Sequence, residues 1–113
     1  VLEQKGVPTI YLGLASHPQY ELGQVQHKGN GGIIAFDLGT KENALRFIQE
    51  SQVPIVANLG LNYTAISHPA TTTHSRMSPE DRLKAGVTDG FVRLSVGLEL
   101  PYKVLKTIKS VLK

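Results

Sequence analysis

The sequence predicts a two-layer α+β domain, a sheet with helices on one face. Three observations carry that expectation. The chain has 113 residues, the length of one domain. Hydrophobic residues make up 41% and charged residues 19%, an ordinary globular composition that excludes wholesale disorder. Strand-like runs are mixed with amphipathic helical stretches, with no repeat, low-complexity segment or second domain.

Val7 to Leu12 reads as a short strand of β-branched and aromatic residues between Gly6 and Gly13. Ser16, with Gln19 as capping-box partner and Pro18 in the first turn, predicts a helix to about Lys28, stopped by Gly29 to Gly32. Ile33 to Leu38 is an apolar run that reads as a buried strand. Thr40 caps a helix whose Ala44, Leu45, Phe47 and Ile48 form an apolar stripe ending near Ser51. Pro54 prevents its continuation, and Ile55 to Ala57 reads as a short strand. A further strand is expected over Tyr63 to Ser67, then a polar, threonine-rich segment from His68 to Met77. Ser78, Pro79, Glu80 and Asp81 are a complete helix start, and Gly86 closes that helix. Phe91 to Leu98 is the clearest strand. Pro101 starts a last helix expected to bury Leu100, Val104, Ile108 and Val111 or Leu112.

The chain has no cysteine, which excludes disulfides, thiolate metal ligation and a cysteine nucleophile. No apolar run is long enough to span a bilayer and no signal peptide is visible, so a cytoplasmic location and no membrane partner are expected. The chain opens at Val1, within what reads as a helix and without an initiator Met, so a fragment of something longer is expected. The net charge of +3 is local: Lys103, Lys106, Lys109 and Lys113 lie at the C-terminal end, and the rest is close to neutral. Those lysines read as the wet face of one helix, and no nucleic-acid partner is expected.

Alternation along Phe91–Leu98 puts Val92, Leu94, Val96 and Leu98 toward the helices. Phe91, Arg93, Ser95 and Gly97 fall on the other face. Arg93 is thus a cation in mid-strand, away from the hydrophobic layer. Its guanidinium either meets solvent, pairs with an acid, or awaits an anionic ligand, and its planar fork suits a carboxylate. Pattern alone favours the solvated or ion-paired reading. His68 and His74 lack an acid at metal-ligand spacing. A triad drawn from Ser67 or Ser75, His68 or His74, and Asp81 or Asp89 lacks any supporting motif. Gly29 to Gly32 follows a helix and precedes a strand, the reverse of a phosphate cradle. His17 and His27 read as surface residues.

Five segments, in this order, carry a resemblance: Leu14-Ala-Ser-His-Pro-Gln-Tyr-Glu-Leu22, Gly31-Gly-Ile-Ile-Ala-Phe-Asp-Leu38, Ala57-Asn-Leu-Gly60, His68-Pro-Ala-Thr-Thr-Thr-His-Ser75 and Gly90-Phe-Val-Arg-Leu-Ser-Val-Gly-Leu-Glu99. Together they resemble the carboxy-terminal part of the Cys/Met-metabolism, or trans-sulfuration, family of pyridoxal-phosphate (PLP) enzymes. The resemblance covers nearly the whole chain. It implies a small domain of the aspartate-aminotransferase type (PLP fold type I), helices outside and the inner sheet face toward the cofactor cleft. It implies that Arg93 clamps the α-carboxylate of an amino-acid substrate such as cystathionine, methionine or an O-acyl-homoserine. Asn58 would assist and Thr73 would line the pocket. Asn58 and the Thr-Thr-His-Ser run look like the O-acetylhomoserine sulfhydrylase branch, whereas Gly32 to Leu38 looks more like γ-synthases and γ-lyases, so the subfamily stays open.

The family's Schiff-base lysine, phosphate-binding residues and ring-stacking aromatic belong to a large domain absent from this chain, whose eight lysines sit in no matching motif. By the resemblance, PLP is the cofactor of the full-length enzyme and is held by that domain. The chain alone is expected to hold no cofactor and to be inactive, and the family's assembly is a homotetramer. The alternative is a stand-alone, non-enzymatic interaction or regulatory module derived from such a domain.

Overall fold

The computed structural model describes residues 1–112. Four strands, β1 (Thr9–Ile10), β2 (Ile33–Asp37), β3 (Ala65–Ser67) and β4 (Phe91–Ser95), form one sheet in the order β1-β2-β4-β3. Every neighbouring pair is antiparallel. The helices are α1 (Tyr20–Gln26), α2 (Lys41–Ser51), α3 (Pro79–Lys84) and α4 (Pro101–Val111).

The expected layering is present. β2 and β4 register as Phe36 opposite Val92 and Ile34 opposite Leu94, and β3 sets Ile66 opposite Leu94. Phe36, Val92, Leu94 and Ile66 are buried against Ala44, Phe47 and Ile48 of α2, Ile108 of α4, and Leu2. The Phe36 and Phe47 rings meet edge to face, centroids 5.3 Å apart at 76°. Two helix starts match their sequence signals. Asn43 N–H donates to Thr40 Oγ1 at 3.1 Å, and Asp81 N–H donates to Ser78 Oγ at 3.2 Å.

Other expectations are corrected. Only a 3₁₀ turn, Glu3–Lys5, forms at the chain start, closed by Gly6 in the left-handed region (φ 74°). The strand expected over 7–12 shrinks to Thr9–Ile10. Ser16 caps nothing: its hydroxyl donates to Glu3 Oε2 at 2.8 Å, and the chain turns repeatedly from Tyr11 to Tyr20 before α1 starts. Ile55 to Ala57 contributes one parallel bridge, Ile55 to Ile66, instead of a strand. Leu45, expected in the buried stripe of α2, is 43% exposed. β4 stops at Ser95; Val96 still packs against the core as expected, but Leu98 does not and is 84% exposed. Leu100 precedes α4 and is 55% exposed, whereas Val104, Val111 and Leu112 pack against the core. No helix among the described residues is long and apolar enough to cross a membrane.

Candidate functional site

The face of the sheet opposite the helices is built from Ile33, Ala35 and Asp37 of β2, Phe91, Arg93 and Ser95 of β4, and Ala65 and Ser67 of β3, by the pairing register. Arg93 sits between Ala35 and Ser67. Both neighbours are small, which leaves room for a guanidinium to lie along the sheet. Arg93 Nη2 donates to the Ala57 carbonyl oxygen at 2.7 Å. A guanidinium has five N–H donors, so most remain available. No carboxylate pairs with Arg93 among the described residues; their one ion pair joins Arg82 to Asp89 at 4.0 Å.

The carbonyl that holds Arg93 is itself held. Val56 N–H donates to Ile66 O at 3.1 Å, and Ile66 N–H donates to Pro54 O at 2.9 Å. These bonds fasten the chain before Ala57 to the free edge of β3. Asn58 follows directly and is exposed. The fold therefore brings Arg93 and the Ala57–Asn58 segment together. Thr73 is not joined to them by a hydrogen bond. It is exposed, with Oγ1 2.8 Å from His74 Nδ1. Its segment nevertheless starts beside Arg93, because a 3₁₀ turn (Pro69–Thr71) follows β3 after His68.

His68 is buried and structural. Its Nε2 lies 2.6 Å from the Asp89 carbonyl oxygen and its Nδ1 2.8 Å from Thr71 Oγ1. A carbonyl only accepts, so Nε2 carries the hydrogen of the bond to Asp89. His68 thus meets Asp89 through backbone, and Ser75 donates to the Thr72 carbonyl at 2.9 Å, so no serine–histidine–aspartate relay is assembled. Among the described residues no group of three His, Asp or Glu could hold a metal ion.

Two further residues stand out, one on each face of the sheet: Ser67, which the sequence offered only as a triad serine, and Glu99, whose role the sequence reading missed. Ser67 Oγ, opposite Arg93, is buried without a hydrogen-bond partner. Glu99 accepts from the buried Thr64: the backbone N–H lies 2.8 Å from Oε2 and 3.0 Å from Oε1, and the hydroxyl donates to Oε1 at 2.8 Å. Thr64 Oγ1 in turn accepts from Gly97 N–H at 3.0 Å. The Thr64 backbone N–H is the main reason the Glu99 carboxyl is held below its ordinary range. Partial desolvation opposes it, and Glu99's own N–H and the Thr64 hydroxyl add to it. The available signal was Gly97, a glycine continuing a strand pattern, which marks close backbone approach. A Cβ there would lie 2.3 Å from the Tyr63 carbonyl carbon.

Residues 3–113 match the profile of the family described as Cys/Met metabolism PLP-dependent enzyme. The chain is 48% identical over 99 residues to an O-succinylhomoserine sulfhydrylase of Pseudomonas aeruginosa, covering 85% of this chain and 25% of that protein. It is 45% identical over 103 residues to O-acetyl-L-homoserine sulfhydrylase 1 of Thermus thermophilus, covering 88% and 24%. Among solved structures, a cystathionine gamma synthase of Xanthomonas oryzae in complex with cystathionine superposes with a TM-score of 0.84 at 35% identity, covering 98% of this chain and 30% of that one. A putative O-acetylhomoserine (thiol)-lyase of Campylobacter jejuni, which carries a pyridoxyl-lysine, gives 0.85 at 33%, covering 94% and 26%. The chain spans about a quarter of the length of these curated relatives. The small α+β fold with its open sheet face is thus that of type I PLP enzymes, and the chain belongs to the Cys/Met-metabolism family of PLP-dependent enzymes.

Proposed function

We propose that this chain is the C-terminal, substrate-carboxylate-binding domain of a PLP-dependent enzyme of sulfur amino-acid metabolism that carries out γ-elimination or γ-replacement. The observation that carries the reading is the Arg93 guanidinium: half-buried, on the open sheet face, tied to one backbone carbonyl and facing no acid among the described residues. A cation held by a neutral acceptor keeps its full charge for an incoming carboxylate.

Arg93 grips the α-carboxylate of an amino-acid substrate of the cystathionine, methionine or O-acyl-homoserine class. Its bond to Ala57 restricts the guanidinium to one orientation, so the fork is set before the ligand arrives. Asn58, next in the chain, assists at the same carboxylate, and Thr73 lines the far side of the pocket. Fixing the carboxylate fixes the rotation of the substrate's Cα bonds, which decides the bond that reacts.

PLP, when bound, supplies the electron sink for that chemistry. The described residues do not fit the cofactor itself. Every described lysine is exposed, and the one with a side-chain hydrogen bond, Lys5, donates to the Leu112 carbonyl at 3.0 Å. On this reading the cofactor is held by residues outside this chain, and the chain alone neither holds it covalently nor turns over substrate. Substituting Arg93→Ala in the full-length enzyme tests the reading. KM rises, kcat falls, and kcat/KM drops roughly 100-fold, the worth of two charge-assisted hydrogen bonds. An unchanged kcat/KM removes Arg93 from the site.

A further inference from the structure

Beyond β4, the chain keeps close to the segment before β3, but the ladder changes character. Leu98 N–H still donates to the Asn62 carbonyl at 2.9 Å. Gly97 lies against the Tyr63 and Thr64 backbone, where a Cβ would find atoms at 2.3 to 2.6 Å. Thr64 is buried, so its N–H and O–H both need acceptors. The Glu99 carboxylate accepts both, reaching back across the strand pair. Thr64 Oγ1 also receives the Gly97 N–H, so one hydroxyl links both chains to the carboxylate. Closer to Arg93, Gly60 N–H points to Ser95 Oγ at 3.4 Å.

These bonds fasten one end of the loop 57–63; the bridge between Ile55 and Ile66 fastens the other. The loop in between carries Ala57, whose carbonyl holds Arg93, and Asn58. We infer that Glu99 is a positioning residue for the substrate-carboxylate site: through Thr64 it pins the 57–63 loop to the end of β4, and so sets where Ala57 holds the Arg93 guanidinium. This rests on the reading of Arg93 as the carboxylate clamp. The geometry also distinguishes the Glu99 carboxylate from an amide of the same shape. A glutamine can keep the Oε1 acceptor that both Thr64 donors reach, but it puts an amide NH2, which cannot accept, where Oε2 now lies 2.8 Å from the Thr64 N–H, and it removes the charge.

The test is a double-mutant cycle in the full-length enzyme with Glu99→Gln and Arg93→Ala. Glu99→Gln alone is expected to raise KM and lower kcat/KM roughly tenfold, because displacing a positioning group harms orientation. In the Arg93→Ala background the same substitution is expected to change kcat/KM by less than about twofold, since the group it positions is gone. Thr64→Val, which removes the hydroxyl, should behave like Glu99→Gln, and Thr64→Ser should retain wild-type kinetics. Equal losses from Glu99→Gln in both backgrounds overturn the inference while leaving Arg93 in the site. A Glu99→Gln enzyme with lowered Tm but unchanged KM and kcat also overturns it, as does Thr64→Val with wild-type kinetics, should Glu99→Gln not fold. Wild-type kinetics for Arg93→Ala refutes the underlying reading instead.

Discussion

Ser67 stands directly across from Arg93 in the β3–β4 register, and its hydroxyl, on a side chain 1% exposed, has no hydrogen-bond partner. The pair joins a cation with unused donors to an acceptor with unused lone pairs, on the sheet face opposite α2 and α4.

The orphan hydroxyl predicts an unusual substitution. A buried polar group without a partner carries its desolvation penalty uncompensated. Ser67→Ala should therefore stabilise the chain by about 1 kcal/mol, read as a higher urea midpoint at unchanged slope. A loss of more than about 1 kcal/mol would mean that the hydroxyl has a partner.

The core has its own hierarchy. Phe47 is buried edge-on against Phe36, so Phe47→Ala should cost about 3–5 kcal/mol, enough to unfold a marginal domain. Leu83, on α3, is 62% exposed, and Leu83→Ala should change stability by no more than about 0.5 kcal/mol. Denaturant titration of the two variants distinguishes them directly.

The two helix caps act locally. Thr40→Ala and Ser78→Ala each remove the acceptor of an N3 backbone N–H and should each cost about 1 kcal/mol. They cap different helices and share no partner, so the double variant should lose the sum within about 0.5 kcal/mol.

Glu99 predicts a pH dependence. Its carboxyl is held below its ordinary range by Thr64 in the folded chain, so the folded state favours the charged form. That stabilisation is fully present above the unfolded value, about 4.3, and is lost as pH falls through the lower folded value. The stability advantage of wild type over Glu99→Gln should therefore shrink on acidification below about pH 4.3, followed by urea midpoints. An advantage independent of pH across that window would contradict the assignment of the Thr64 bonds to the carboxylate.

Local chemistry made part of this molecule readable from sequence. The caps at Thr40 and Ser78 are contiguous signals, and strict alternation from Phe91 to Ser95 put Arg93 opposite the core. Where partners are distant, the sequence misleads. Ser16 resembles a cap, but its hydroxyl goes to Glu3, 13 residues away. Val96 keeps to the core side, but the pattern also assigned Leu98 to it, because pattern does not reveal that the Tyr63 backbone closes on Gly97 or that Glu99 takes the Thr64 donors. The meeting of Arg93 with Ala57 spans 36 residues and depends on the bridge at Ile55, which no local preference specifies.

The most direct measurement compares a substrate with its α-carboxamide analogue in the full-length enzyme. If Arg93 grips the carboxylate, wild type prefers the acid by roughly 100-fold in kcat/KM, and Arg93→Ala reduces that preference to near unity. A preference that survives intact in Arg93→Ala would contradict the account, because the carboxylate would then be recognised elsewhere.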